Sequence, residues 1–272
     1  MLSVTTDYAT DQGCPEPALR RIAEAGFTHI HWCHHWNTDF LYADAEIEAI
    51  EGWMKQYGLI LTDLHASDGK EKRWASLREY ERKAGVELVK NRMAMADRLG
   101  SDVIIMHLGS EPEEEPARGQ YWTQLWRSLD ELAPQARYYG VKIAVENGRF
   151  PMIRRVFEKY DPSYVGLCYD CGHGNLIREG LEELEALKDR LISIHLHDND
   201  GTGDQHRLLF TGTVQWDRLA QIIAASPYDK PINMEVSMKN SAIEDETLFL
   251  QKAFETGTTF SETVKAMREG NG

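Results

Sequence analysis

Residues 138–146 read YYGVKIAVE, and this stretch contains the unit from which the fold can be inferred. A helical pattern ends at a glycine, an apolar run of strand length follows, and the run ends in the acidic Glu146. Glycine readily adopts the left-handed backbone conformation that terminates a helix. The same order of helix, glycine and apolar run recurs at Gly26, Gly58 and Gly100, which indicates a repeated helix–strand architecture.

The rest of the chain alternates in the same way between helical periodicity and apolar runs. Residues 44–57 place Ile47, Ile50 and Met54 on one helical face, and residues 79–99 form a second such pattern. Eight predicted strands cover residues 2–6, 28–33, 59–64, 102–106, 141–145, 164–169, 191–196 and 231–236. Strands separated by helices pair in parallel. We therefore predict an α/β protein, a (β/α)8 TIM barrel forming a single domain over residues 1–272.

An open doubly wound sheet is the alternative arrangement of the same units. Such a sheet usually carries a glycine-rich phosphate turn after its first strand, and this chain has none there. A (β/α)8 barrel typically needs about 250 residues, and the 272 residues contain no Pro-rich or Gly/Ser-rich linker. The barrel is therefore favoured.

The formal charge of −14 bears on the class of partner. Such a charge repels nucleic-acid phosphates and anionic lipids unless a basic patch overcomes it, and the sequence shows no such patch. We expect a small-molecule substrate, no nucleic acid and no membrane partner. Residues 1–10 lack the pattern of a secretory signal, so a cytoplasmic location is expected. The four cysteines are too few and too scattered for a disulfide scaffold.

Six predicted strands each run into one side chain of a metal-ligand type. In a parallel barrel all strand carboxyl ends lie at the same mouth, so these side chains should converge. They are His65, His107, Glu146, Asp170, His195 and Glu235. Crowded carboxylates and imidazoles are stabilised by a divalent cation. Asp170 alone could be a helix N-cap, and His65 or His107 alone a core histidine, but the coincidence at six strand ends favours a metal site.

Further candidate ligands follow these strands in the sequence. His173 lies in the next loop and could bind substrate or a second metal. His197 shares a strand face with the histidine two residues before it, so it could contact substrate or have a structural role. Residues 198–214 form a long loop that could be a lid, in which Asp204 and His206 could supply more ligands. A flexible polar turn is the alternative for that loop.

Other side chains are candidates for direct contact with substrate. The second predicted strand runs into the aromatic segment Trp32–Trp36. There a ring such as that of Trp32 could pack on the C–H face of a sugar, although core packing explains part of this segment equally well. His107 and Arg207 are further candidates. The basic residues that could contact a substrate phosphate are Arg149, Arg178, Arg207 and Lys239.

These motifs resemble those of the xylose-isomerase-like TIM-barrel superfamily, which contains sugar isomerases and epimerases and also endonuclease IV. The resemblance covers nearly the whole chain and is carried by the ordered motifs VEN, YDCGH, HLHDND and NMEV. It implies a TIM barrel, and relatives that often form homodimers or tetramers.

The ketose-epimerase branch implies one metal, often manganese, cobalt or magnesium. By this resemblance the ligands would be Glu146, Asp170, His195 and Glu235. The branch has an acid three positions after the ligand histidine, as Asp198 follows His195, and it uses the counterpart of His173 to contact substrate oxygens. Tagatose-type 3-epimerases carry an arginine where this chain has Gly201, which argues against that particular specificity.

Endonuclease IV implies a second reading of the same residues. Its three-zinc site uses nine ligands, and nine residues match them in order: His65, His107, Glu146, Asp170, His173, His195, Asp204, His206 and Glu235. The charge of −14 and the lack of basic loops argue against a DNA substrate.

The leading hypothesis is a metal-dependent isomerase or epimerase of a sugar or sugar derivative. One divalent metal (Mn, Co, Mg or Zn) would stabilise an enediolate, while Glu146 and Glu235 move the proton next to the carbonyl. One alternative is a phosphodiester hydrolase with up to three zinc ions. Another is a non-catalytic, metal-dependent binding barrel.

Overall fold

Eight parallel strands form the centre of the protein in a computed structural model that describes residues 1–9 and 13–270. The strands are β1 (Leu2–Thr5), β2 (His29–Trp32), β3 (Ile60–His65), β4 (Val103–Met106), β5 (Lys142–Glu146), β6 (Val165–Asp170), β7 (Leu191–His195) and β8 (Ile232–Met234). They pair in the order β7-β6-β5-β4-β3-β2-β1-β8. The Leu196 N–H donates to the Asn233 carbonyl at 2.9 Å, and the Glu235 N–H donates to the Leu196 carbonyl at 3.0 Å. These bonds join β7 to β8, so the predicted (β/α)8 barrel is confirmed.

Helices connect successive strands and cover the outside of the barrel. They are α1 (Glu16–Glu24), α2 (Asp44–Tyr57), α3 (Glu79–Leu99), α4 (Ala117–Tyr139), α5 (Phe150–Lys159), α6 (Cys171–Asn175), α7 (Gly180–Leu187), α8 (Trp216–Ala224) and α9 (Glu246–Gly270). Short 3-10 helices span Lys188–Arg190 and Met238–Asn240. Within the described residues, none of these helices combines the length and hydropathy that a membrane crossing requires.

The helix ends follow from local sequence. Gly58 and Gly100 adopt φ values of 67° and 82° immediately after α2 and α3, as predicted for helix-terminating glycines. At the start of α2 the N-cap is Ala43, and the Glu46 carboxylate accepts a hydrogen bond from the Ala43 N–H at 2.8 Å. Both helices therefore stop where the next strand must begin.

Successive side chains of each strand point alternately outward to the helices and inward to the barrel interior. Outward residues pack against the helices in the main apolar core. Inward residues include a small apolar cluster of Val103, Ile105, Ala144 and Cys168. Toward the carboxyl end the inward positions become polar, and this change positions the candidate site.

Candidate metal centre

Four ligand-type side chains lie at the carboxyl ends of four adjacent strands of the barrel. Glu146, Asp170 and His195 are the last residues of β5, β6 and β7, and Glu235 directly follows β8. The register pairs Glu146 with Cys168 and Asp170 with His195 across neighbouring strands. The pairing directs these side chains to the barrel interior.

His195 lies between two carboxylates. Its Nδ1 is 3.0 Å from Glu235 Oε2 and 3.5 Å from Glu146 Oε2, and the His195 side chain is 0% exposed. Neither ring nitrogen of His195, nor Glu146 Oε2, has a hydrogen-bond partner among the described residues. An unsatisfied buried polar atom costs about 1–3 kcal/mol. Nitrogen and oxygen atoms that converge in this way are the ligand types of a divalent cation.

Asp170 joins this group through His173. The Asp170 Oδ1 accepts a hydrogen bond from the His173 backbone N–H at 2.7 Å, so Asp170 also caps α6. The His173 Nδ1 lies 3.2 Å from Glu146 Oε1 and 4.0 Å from Asp170 Oδ1. On its other side, Asp170 Oδ2 is 3.0 Å from His197 Nε2. Both sequence interpretations of Asp170, helix cap and site residue, are therefore compatible with its geometry.

A second group lies at the ends of β3 and β4. The His107 Nε2 is 3.3 Å from Glu146 Oε2. The His65 and His107 rings stack with centroids 5.1 Å apart, and Trp36 stacks on both rings. Ligand atoms of His65, His107 and Glu146 all lie within 4.8 Å of one another. This group could hold a further cation beside the first.

A third group involves the long loop after β7. The His173 Nε2 and His206 Nε2 lie 3.3 Å and 3.1 Å from the same atom, Asp204 Oδ2. The loop returns to the barrel because Asp198 and Arg207 pair in antiparallel fashion through two backbone hydrogen bonds of 2.9 Å. The loop thus brings Asp204 and His206 to the mouth, where ligand atoms of His197, Asp204 and His206 lie within 4.8 Å of one another.

The charges of these groups are mutually dependent. Burial disfavours charge on Glu146 and Glu235, but nearby histidines, His195 among them, outweigh it and hold both pKa values well below the usual range. Burial likewise opposes charge on His206, yet Asp204, Glu235 and Asp170 raise its pKa to about 10. The mouth therefore favours ionised carboxylates with partly compensating positive charge.

Several polar residues that point into the barrel were not predicted as site residues from the sequence. His31 Nδ1 lies 2.6 Å from Asp63 Oδ1, and Ser193 donates a hydrogen bond to Asp63 Oδ2. All three are fully buried inside the barrel. Cys33 Sγ is 3.5 Å from Glu235 Oε1. The sequence did contain a sign of this layer. Each of these polar side chains lies within an apolar strand an even number of residues before a strand-end residue, so both face the barrel interior.

Comparison with known proteins identifies the family. Residues 19–253 match the family model described as xylose isomerase-like TIM barrel. The chain belongs to this family. It is 32% identical over 281 residues to the uncharacterized protein y4fM of Sinorhizobium fredii, with 93% of this chain and 90% of the relative covered. It is also 25% identical over 230 residues to the probable endonuclease 4 of Thermoplasma acidophilum, with 76% and 78% covered.

Solved structures support the same fold. A D-tagatose 3-epimerase-like protein has a TM-score of 0.80 at 21% identity, with 100% of this chain and 99% of that chain covered. L-ribulose 3-epimerase has a TM-score of 0.79 at 16% identity, with 98% and 96% covered. At these identities the likeness shows the (β/α)8 fold alone and leaves the substrate open.

The mouth of this xylose isomerase-like barrel opens into a cavity of about 460 Å³. Its lining includes Trp36, His107, Glu146, Arg149 and His173. This volume falls within the range of about 300–1,000 Å³ that is common for small-molecule sites. The candidate metal centre and an accessible cavity are therefore contiguous.

Two expected substrate contacts lie elsewhere. Trp32 is only 1% exposed, because its outward position in β2 turns it into the core, where its Nε1 donates to Tyr42 at 3.1 Å. Trp36, four residues later, lines the cavity instead. Arg207 forms an ion pair with Asp200 at 2.9 Å and is not among the residues lining this cavity.

Proposed function

We propose that the protein is a metal-dependent isomerase or epimerase of a sugar or sugar derivative. The observation that carries this proposal is the placement of two carboxylates, the buried Glu146 and the largely buried Glu235, at 3.5 Å and 3.0 Å from the same atom, His195 Nδ1. Two bases that face a common point can serve the removal and the return of one proton. The solved sugar 3-epimerases with the same fold support this reaction class.

The site residues would have two roles, which are cation binding and proton transfer. A divalent cation held by Glu146, Asp170, His195 and Glu235 would polarise a substrate carbonyl and its neighbouring hydroxyl, which acidifies the C–H between them. Glu146 and Glu235 are ionised at neutral pH because their pKa values are held low. One carboxylate accepts the proton, and the other, or the same one, returns it. Return to the opposite face gives an epimer, whereas return to the adjacent carbon gives an isomer.

Neighbouring side chains would orient the substrate. Burial opposes charge on His173, but Asp170, Asp204 and Glu146 outweigh it and raise its pKa, so its ring favours the hydrogen-bond-donating form. His107 and Trp36 line the same cavity, where the indole could contact the apolar side of a sugar. Arg149 at the cavity edge could recognise an anionic substituent.

Solvent isotope exchange tests this mechanism directly. The metal-loaded protein is incubated in D₂O with ketoses, aldoses, inososes and hydroxypyruvate, and deuterium at the carbon next to the carbonyl is measured by NMR. We expect Glu146→Gln and Glu235→Gln each to lower exchange by at least about 10²-fold, since each removes a proton-transfer base. Glu48→Gln, an exposed carboxylate on α2, is the matched control. Exchange at the wild-type rate in both site variants would defeat the proposal.

A phosphodiester hydrolase is the second candidate function. It is favoured by the two additional ligand groups, one around His107 and Glu146 and the other around Asp204 and His206. The similarity to a probable endonuclease 4 points the same way. The charge of −14 opposes a nucleic-acid substrate.

Metal counting in variants separates the two functions. A multi-metal hydrolase requires His107→Ala and His206→Ala each to remove about one equivalent of bound metal and to abolish cleavage of a phosphodiester substrate. For the isomerase, neither variant changes the number of bound metal ions at the four-residue site. If the protein binds one of the tested compounds in a metal-dependent way but turns over none of them, it is instead a non-catalytic binding barrel.

A further inference from the structure

A second set of soft and imidazole ligands lies on the β2–β3 side of Glu235. We call it the Cys33 cluster, and it consists of His31, Cys33, His65 and Glu235. Three atoms surround Glu235 Oε1: His65 Nε2 at 3.3 Å, Cys33 Sγ at 3.5 Å and His31 Nε2 at 3.9 Å. His31 and Cys33 are fully buried, and the other two side chains are 1% and 12% exposed.

These separations lie close to those of a tetrahedral site. Zinc bonds of about 2.0–2.3 Å to nitrogen, oxygen and sulfur place neighbouring ligand atoms roughly 3.3–3.7 Å apart. The three distances to Glu235 Oε1 span 3.3–3.9 Å, and all four ligand atoms lie within 4.8 Å of one another. One thiolate and one carboxylate would balance a divalent charge among the four ligands, which lowers the penalty for burying it.

An independent feature directs His31 into this cluster. Its Nδ1 is 2.6 Å from Asp63 Oδ1, and the other Asp63 oxygen accepts a hydrogen bond from Ser193. The carboxylate holds the Nδ1 proton, so the Nε2 lone pair faces the cluster. That Nε2 is buried and has no hydrogen-bond partner among residues 1–9 and 13–270. A carboxylate bonded to the rear nitrogen of a histidine is the usual partner of a metal-ligating imidazole.

We propose that the Cys33 cluster binds a zinc-class cation through Cys33 Sγ, His31 Nε2, His65 Nε2 and Glu235 Oε1. The site is distinct from the four-residue centre and shares only Glu235 with it, whose other oxygen, Oε2, faces His195 at 3.0 Å. A thiolate ligand selects zinc or cobalt over magnesium. Glu235 would then bridge two cations when both sites are filled.

Cobalt spectroscopy tests the site without reference to turnover. The chelator-treated full-length protein is titrated with Co²⁺, and the near-ultraviolet sulfur-to-cobalt charge-transfer band is recorded. We expect a band in the wild type that Cys33→Ser removes, together with about one equivalent of bound metal. Cys14→Ser, an exposed thiol, and Cys168→Ser, a buried thiol beside His195, should keep the band. No band in the wild type, or a band lost only in Cys168→Ser, overturns the proposal.

A second variant keeps the test valid if Cys33→Ser fails to fold. Asp63→Asn leaves all four ligands in place but removes the carboxylate that orients His31, so zinc affinity at this site should fall about 10–100-fold. Asp102→Asn, which breaks an exposed ion pair with Lys230, is the control. Unchanged affinity in Asp63→Asn contradicts the site. Wild-type isotope exchange in both Glu146→Gln and Glu235→Gln would defeat only the proposed function, whereas unchanged zinc affinity in Asp63→Asn would defeat only the Cys33 cluster, so the two failures are distinguishable.

Discussion

His206 shows how strongly single residues at the mouth depend on their neighbours. Its Nε2 lies 3.1 Å from Asp204 Oδ2. Despite burial, the surrounding carboxylates raise its pKa to about 10. An unfolded histidine has a pKa of about 6.5, so between these values the folded chain holds a proton that the unfolded chain has lost. The resulting stabilisation is complete below about pH 6.5 and disappears as the pH rises through about 10.

We therefore expect the free energy of unfolding of chelator-treated protein to fall over this pH interval. Urea denaturation at a series of pH values measures it, and His206→Gln should flatten the slope. His29→Gln is the control, because burial lowers the pKa of His29 and its effect lies below this interval. An identical slope in wild type and His206→Gln would show that the Asp204–His206 pair does not form.

At the residue scale, the sequence predicted the polar site residues at strand ends better than those inside strands. Glu146 and His195 were recognisable because each ends a mostly apolar run of strand length. His31 and Asp63 were not, because their meeting depends on strand phase and on a register shift between Ile30 and His31 where β2 pairs with β3. The same alternation explains why Trp32 lies in the outer core. Neighbouring residues of a strand point to opposite faces, so Trp32 points outward where His31 points into the barrel. Reading both faces of every strand would have revealed the buried polar layer.

At the element scale, α6 is unusual because it begins inside the candidate site. Gly172 in α6 lies so close to His197 that an added Cβ would be 1.9 Å from the His197 Cε1 atom. The ring cannot move easily, since it bonds to Asp170 at 3.0 Å and stacks on His206 with centroids 4.0 Å apart. Glycine at this position thus allows helix and strand to approach closely.

Gly172→Ala should destabilise the protein by about 1–3 kcal/mol, the usual range for an overpacked interior. Gly52→Ala is the matched control, because this exposed α2 glycine has no atom within 4 Å of the new Cβ. There the better helix propensity of alanine should stabilise by about 0.5–1 kcal/mol. Urea unfolding of both variants measures the difference, and equal effects would contradict the packing argument.

The elements themselves were largely predictable because their period and glycine stops are local properties. α2 and α3 occupy the predicted residues 44–57 and 79–99. The loop after β7 was harder to predict, since its return depends on the Asp198–Arg207 pairing and on a bond of 3.0 Å from Trp216 Nε1 to Asp198 Oδ2. Such tertiary contacts leave no periodic signal in the sequence.

For the whole molecule, the barrel concentrates ionisable groups where they are most costly to bury. Glu146, Asp170 and His195 are essentially inaccessible, and the whole chain carries a charge of −14. A cation that binds only the folded state compensates that cost and stabilises the fold by about 2.7 kcal/mol when its concentration is a hundred times its dissociation constant. Folding stability and metal binding should therefore be coupled.

Chelation is expected to lower the temperature of unfolding, and Mn²⁺ or Zn²⁺ should restore it in a concentration-dependent way. Asp170→Asn should reduce this metal-dependent shift, because the substitution removes one charged ligand while retaining a similar side-chain volume. Asp102→Asn should keep the full shift, since Asp102 belongs to an exposed ion pair with Lys230 rather than to the candidate metal centre. Differential scanning calorimetry with and without metal measures all three proteins. If neither the chelator nor added metal changes the unfolding temperature of the wild type, the buried carboxylates and imidazoles are stable together without a cation.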